Sequence, residues 1–338
     1  MRLLIMAVRL LIKFNVFPVF LKALPMKNSR QDMDGNVHIS HCGRKVEMSI
    51  NSMSNGVVKA KALSKHRFLP SVGLKTASHI VFCDFDSTYY DSHSTDTLAN
   101  LRKLESFLEN ICAFQKIMVG WVTGTSTELL FSKIEKGRIR LLPHFAATSL
   151  GTELIMFNDE SSIGIIDKQW QSKIASSQFL KTVRQIETGL KTSKISIVPH
   201  PSEASMLKTS YYYYSVNEQV DTANIARIKE LAARNKLNVN VNYCSTQAGD
   251  PENCYDVNFM PLGYGKDSVV KYITDKYGSV NCKTIAFGDS GSDLNMLRCV
   301  HYGFLVANAT DEAKREFPRV TAGNSTEGIL QTLINILI

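Results

Sequence analysis

Four short polar strings hold side chains that could work together on a phosphoryl group. In the first, Asp84-Phe85-Asp86-Ser87-Thr88, two carboxylates stand two residues apart directly after the apolar run Ile80-Val81-Phe82-Cys83. Strand alternation turns Asp84 and Asp86 toward one side and Phe85 toward the other. Two close carboxylates repel each other unless a cation or a shared proton relieves them. Bound Mg²⁺, a hard ion that prefers oxygen ligands, is one solution; a solvated acidic turn is the plainer one. The second acidic pair, Asp289 and Asp293, brackets Ser290-Gly291-Ser292, small residues that permit a tight turn with both carboxylates on one ion. Its plainer reading makes Asp293 a helix N-cap, which leaves Asp289 unexplained. Thr123-Gly124 adds a hydroxyl and an N–H, and Lys266, after Gly263-Tyr264-Gly265, adds a cation suited to phosphate. Read singly, these are an N-cap and a surface charge.

The elements around these strings give them a common address. Ile80–Cys83 and Lys116–Val122 read as buried strands, each followed by a helical pattern, with a short strand near His144–Thr148 and a hairpin over Thr152–Phe157. After residue 260 the pattern resumes with a helix from Lys266, a strand over Thr284–Phe287, a helix, a strand over Gly303–Val306 and a C-terminal helix. Such β-α-β-α alternation predicts an α/β fold with a parallel sheet. All four polar strings fall at carboxyl ends of strands, where ligands bind in such sheets. Residues 158–260 differ: helices over Lys168–Glu187 and Asp221–Asn235 and strands at Ile195–Val198, Tyr211–Val216, Val239–Tyr243 and Tyr255–Met260 predict an inserted α+β domain.

In this order, Asp84-x-Asp86-x-Thr88, Val122-Thr123-Gly124, Lys266 and Gly288-Asp289-x-x-x-Asp293 resemble the four motifs of the haloacid dehalogenase superfamily of aspartate-nucleophile phosphohydrolases. The insertion between the second and third resembles the branch of sucrose-phosphate phosphatase and the Cof-type sugar phosphatases. Pro143-His144-Phe145, Leu150-Gly151-Thr152-Glu153 and Ala248-Gly249-Asp250-Pro251-Glu252 are similar to strings of the kanosamine-6-phosphate phosphatases in that branch. The likeness covers about residues 79–338.

The resemblance implies a Rossmann-like core (79–157 and 261–338) with an inserted cap (158–260) that chooses the substrate. It implies Asp84 as nucleophile and Asp86 as acid and base. It further implies Mg²⁺ held by Asp84, the Asp86 carbonyl, Asp289 and Asp293, and a phosphoryl group bound by Thr123, Gly124 and Lys266. The expected reaction is hydrolysis of kanosamine 6-phosphate or a related hexose 6-phosphate, which would place the chain in antibiotic biosynthesis. The alternatives are a broad-specificity or sucrose-phosphate-type phosphatase, or a sugar-phosphate-binding regulator without turnover. Because an amino sugar is cationic, Asp250 and Glu252 are its expected partners in the cap; the plain alternative is an acidic turn nucleated by Asp-Pro. Tyr211–Tyr214 are expected to lie half-buried in a strand, and His79, His144, His200 and Trp121 to be structural.

Composition sets the outer limits. The chain has 338 residues, 44% hydrophobic and 21% charged, enough for more than one packed core and unlike a fibre or a disordered chain. Seven scattered cysteines, none in a C-x-x-C pair, imply reduced thiols and no zinc site. The net charge of +8 is local: residues 1–79 hold thirteen Lys and Arg against three Asp and Glu, leaving the remainder at −2. The main body is therefore not expected to bind nucleic acid. Residues 1–24 carry Arg2, Arg9 and Lys13 on one side of a possible basic helix. They read as a membrane-surface or organelle-targeting segment, or as an over-extended gene start. Residues 26–78 read as a linker, and the expected location is cytoplasmic unless that segment targets the chain elsewhere.

Overall fold

The structure is a computed structural model. It describes residues 66–70, 76–92, 97–158, 163–172, 176–205, 207–244 and 250–338, and the backbone alone of 29–31, 37–41, 44–46 and 57–58. The chain divides into two compact units, 1–59 and 60–338. In the first, Ser29–Gln31, Val37–His41 and Arg44–Val46 form a three-stranded antiparallel meander, where the sequence suggested only linker. The basic stretch 1–24 lies outside the described residues. Among the described residues no helix is long and apolar enough to cross a membrane.

In the second unit, β1 is Arg67–Phe68, β2 Ala77–Cys83, α1 Thr97–Phe114, β3 Ile117–Val122, α2 Thr127–Lys136, β4 Leu141–Leu142, β5 Phe145–Thr148, β6 Glu153–Asn158 and β7 Ile163–Ile166. A short helix α3 (Lys168–Gln171) leads to α4 (Ser176–Thr192), β8 (Val198–Ala204), β9 (Thr209–Tyr214), α5 (Glu218–Arg234), β10 (Leu237–Tyr243) and β11 (Cys254–Pro261). Then come α6 (Lys266–Tyr277), β12 (Gly278–Gly288), a 3₁₀ turn (Gly291–Asp293), α7 (Leu294–Arg298), β13 (Tyr302–Leu305), α8 (Asp311–Glu316) and α9 (Ser325–Leu337).

Within this unit the central sheet runs β13-β12-β2-β3-β5-β6-β7, parallel from β13 to β5 and antiparallel beyond. Strand β3 is buried at all six positions, the continuous apolar run of a strand covered on both faces. Helix α1 buries Leu101, Leu104 and Leu108 at helical spacing. Ser126 caps α2 by accepting from Leu129 N. A second sheet, β8-β9-β11-β10, is wholly antiparallel. One of its faces buries Tyr211, Tyr213, Val257 and Phe259 in a cluster with Phe179, Val183 and Ile186 of α4 and Ile228 and Leu231 of α5. Its strands and helices are consistent with the expected cap.

Four local expectations change. The core strand starts at Ala77, two residues before the expected boundary, because Ala77 is buried and pairs with Gly278. Residues 66–70 also belong with the core: β1 pairs with β4, Leu69 is buried, and His144 bridges the segment, accepting from Val119 N at Nδ1 and reaching the Pro70 carbonyl with Nε2. The expected helix over Lys168–Glu187 is two helices. Trp170 is pinned by Asp167 at its N–H, by the Tyr264 hydroxyl at its carbonyl and by the Gly151 carbonyl at its indole N–H, which fixes one turn as a separate element. The strand expected at Ile195 begins at Val198, since Ile195 N closes α4 on the Leu190 carbonyl.

Candidate active site

The four polar strings gather where β2, β3 and β12 end. Asp84 follows β2, and its N–H donates to the Phe287 carbonyl of β12, 2.9 Å away, so the two acid-bearing loops leave the sheet side by side. Ser87 adopts φ +55°, a left-handed conformation costly for a residue with a Cβ. Asn308 Nδ2 and Ser325 Oγ hold its carbonyl at 2.8 and 2.7 Å and stabilise the turn. On β12, Gly288 is required by packing: a Cβ there would sit 2.3 Å from the Cβ of Asp293. Gly265, at φ +145°, lets the chain enter α6 so that Lys266 is its first residue.

Carboxylate oxygens of Asp84, Asp289 and Asp293 lie within 4.8 Å of one another. Lys266 Nζ donates to Asp84 Oδ1 at 2.8 Å and to Asp293 Oδ1 at 2.7 Å, and all three side chains are buried. The other Asp293 oxygen accepts from the N–H groups of Asp289 and Ser290, closing the turn that aims Asp289. Thr88 Oγ1 donates to Asp289 Oδ1 at 3.2 Å. Burial pushes the Asp84 carboxyl up to about 7, with Lys266 opposing the rise and Asp293 adding to it. Burial, then the Asp84 and Asp293 charges, raise Asp289 as well. Burial alone would depress the Lys266 ammonium, yet the carboxylates of Asp293 and Asp84 raise it and keep it charged. One buried cation against three acids leaves the cluster short of positive charge. An all-oxygen donor set of this kind fits a hard divalent cation.

Asp86 stands apart from that cluster. Because β2 ends at Cys83 and Ser87 turns left-handed, the alternation expected to align Asp84 and Asp86 does not continue. The Asp86 carboxylate instead accepts from Lys133 Nζ of α2 and from Thr125 Oγ1, each at 2.6 Å. Thr123 is buried at the end of β3, but its N–H is engaged with the Ala147 carbonyl, so only the hydroxyl of the expected pair remains, and this accepts from Thr125 N. The Gly124 carbonyl accepts from Lys208 Nζ at 3.0 Å. Of the expected cap residues, Asp250 is half-buried and accepts from the Tyr212 hydroxyl at 3.1 Å, while Glu252 is exposed. The structure does not pair these two with each other.

Three contributors had no place in the sequence reading. Thr125 and Lys133 follow the Thr123 string at spacings that a helix starting after Ser126 would turn toward Asp86. Lys208, buried in the β8–β9 hairpin, carries no local pattern at all.

A sequence model of the sucrose-6F-phosphate phosphohydrolase family matches residues 77–335. The chain is 36% identical over 274 residues to a kanosamine-6-phosphate phosphatase from Bacillus subtilis, covering 78% of this chain and 95% of that protein. Among solved structures, a haloacid dehalogenase-like hydrolase from B. subtilis superposes with a TM-score of 0.61 at 34% identity, covering 81% of this chain and 96% of the other. A sucrose-phosphatase from Synechocystis, solved with sucrose and phosphate, shares the fold at 18% identity and a TM-score of 0.59, covering 77% and 98%. The motif cluster at the strand ends and these matches agree: the chain belongs to the sucrose-6F-phosphate phosphohydrolase family, phosphoric monoester hydrolases of the haloacid dehalogenase type.

Proposed function

We propose that the protein hydrolyses a sugar phosphate monoester, kanosamine 6-phosphate or a related hexose 6-phosphate, through an aspartyl-phosphate on Asp84. The observation that carries this reading is the buried cluster of Asp84, Asp289, Asp293 and Lys266 at the carboxyl end of the parallel sheet. The 36% identity to a kanosamine-6-phosphate phosphatase supports the choice of sugar. In this division of labour 79–157 and 261–338 form the core, joined by residues 66–78, and 158–260 form the cap. The N-terminal arm ends before residue 66.

A carboxylate oxygen of Asp84 attacks phosphorus in line, and the bond to the sugar oxygen breaks as the new ester forms. Asp86, once it has left Thr125 and Lys133 and taken up a proton from solvent, gives that proton to the departing oxygen and regains one from the water that hydrolyses the ester. The Thr123 hydroxyl, Gly124 and the Lys266 ammonium hold the remaining phosphoryl oxygens, positioning that carries most of the work in phosphoryl transfer. Mg²⁺ fits Asp84, Asp289 and Asp293, with the Asp86 carbonyl, and would neutralise charge on the phosphoryl oxygens. In the cap, Asp250 and Glu252 are available to a cationic sugar.

Phosphate release from aminated and plain hexose 6-phosphates and from sucrose 6-phosphate, with and without Mg²⁺, tests this reading. Turnover that needs Mg²⁺ and favours a hexose 6-phosphate is the expected result; no release from any sugar phosphate would overturn it. The raised Asp84 carboxyl adds a prediction. Asp84 and Asp289 are both raised, and a protonated carboxyl must lose its proton before it can bind a cation, so Mg²⁺ affinity should fall by about tenfold or more per pH unit as the pH drops below about 7. Calorimetric titration from pH 5.5 to 8 measures this, and a flat profile would contradict it.

A further inference from the structure

The cap sheet has two unlike faces. One is the apolar face packed against α4 and α5. The register fixes what stands on the other: Asn240, Asn258 and Ser210 form one row across β10, β11 and β9, and Asn242, Asp256 and Tyr212 form the next. Hydrogen bonds run within and between the rows. Ser210 Oγ donates to Asn258 Oδ1 at 2.5 Å, Asn258 Nδ2 donates to Asp256 Oδ2 at 2.6 Å, and Asn242 Nδ2 donates to Asn240 Oδ1. Two side chains that belong to this face meet the core beside the catalytic cluster. Asn242 Oδ1 lies 3.0 Å from where a Cβ on Gly291 would be, so it rests on the turn that carries Asp289 and Asp293. Asn238 Nδ2 donates to the Tyr264 carbonyl, two residues before Lys266. At the hairpin beside the face, Lys208 reaches Gly124.

We propose that Asp256, on this face, is the carboxylate that selects a sugar bearing an ammonium group. The inference rests on the phosphatase reading above and extends it. The row Asn242–Asp256–Tyr212 leads away from the acidic turn in steps of about 4.8 Å, the spacing between neighbouring strands. Asp256 thus stands one strand beyond the side chain that touches the catalytic turn, within the span of a single hexose ring. Asp250, bonded to Tyr212, belongs a further strand out. Amides both donate and accept, which suits a polyol, and the fixed relay from Ser210 through Asn258 orients Asp256 before the sugar arrives. Strands β9, β10 and β11 carry no Lys or Arg, so the only formal charge that they place on this face is the Asp256 carboxylate.

The deciding experiment compares kcat/KM for 3-amino-3-deoxyglucose 6-phosphate and glucose 6-phosphate, which differ only in the amine, using the full chain with Mg²⁺. Wild type should favour the aminated sugar by about tenfold or more, as expected of a hydrogen bond to a charged group. Asp256→Asn should bring the ratio close to unity. Should that variant fail to fold, Asn258→Ala, which removes the amide that holds the carboxylate, should lower the same ratio. An active wild type with equal kcat/KM for the two sugars, or a preference that survives these changes, overturns the assignment and leaves the phosphatase reading intact. A wild type that releases phosphate from neither sugar overturns the phosphatase reading on which the assignment stands.

Discussion

Replacing Asp84 by Asn should lower phosphate release by about 10⁴-fold or more, because an amide has no oxygen nucleophilic enough to form the phosphoryl ester. The fold should survive. Lys266 keeps its bond to Asp293, and removing one negative charge from three crowded acids relieves repulsion. The thermal midpoint should therefore fall by no more than a few degrees. Phosphate release together with a thermal melt separates chemistry from stability. A variant within about tenfold of the wild-type rate would remove Asp84 from the covalent step.

Asp86→Ala should cost about 10² to 10⁴ in kcat on a sugar phosphate, the usual range for loss of a general acid and base. The loss should shrink with 4-nitrophenyl phosphate, whose leaving group departs without a proton; equal losses on both substrates would deny Asp86 the acid role. Stability should hardly change, because the Asp86–Lys133 ion pair is part-exposed, its side chains 40% and 32% accessible. Both Asp86 oxygens are engaged, one by Lys133 and the other by Thr125.

Much of this was legible because parallel sheets confine chemistry to strand ends. The strings of Asp84, Thr123 and Asp289 each interrupt an apolar run at the point where a buried strand gives out, so these residues and Asp293 stood out by position as well as type, while Lys266 stood out by the glycines before it. The insertion was legible from a change of rhythm, although its first helix is split where Trp170 is pinned from three sides. Side-chain direction was not legible at Asp86, since alternation holds only while the strand lasts. Neither was Lys208, whose importance comes from a hairpin tip reaching a carbonyl 84 residues away in the chain. Residues 66–70 look like linker by composition. Their place in the core depends on β4 and on His144, which lie far along the chain. In the cap, local strings drew attention to Asp250 and Glu252, whereas the register sets Asp256 closer to the catalytic turn.

The strand order also bears on how the polypeptide is made. Strand β2 sits between β3, which is translated soon after it, and β12, which leaves the ribosome only after the whole cap. Until then the nascent chain exposes one ladder of β2 as an open edge, the kind of surface on which growing chains associate wrongly. It also carries Asp84 without Lys266, Asp289 or Asp293. On the proposed mechanism a chain truncated before Asp293 should release no phosphate.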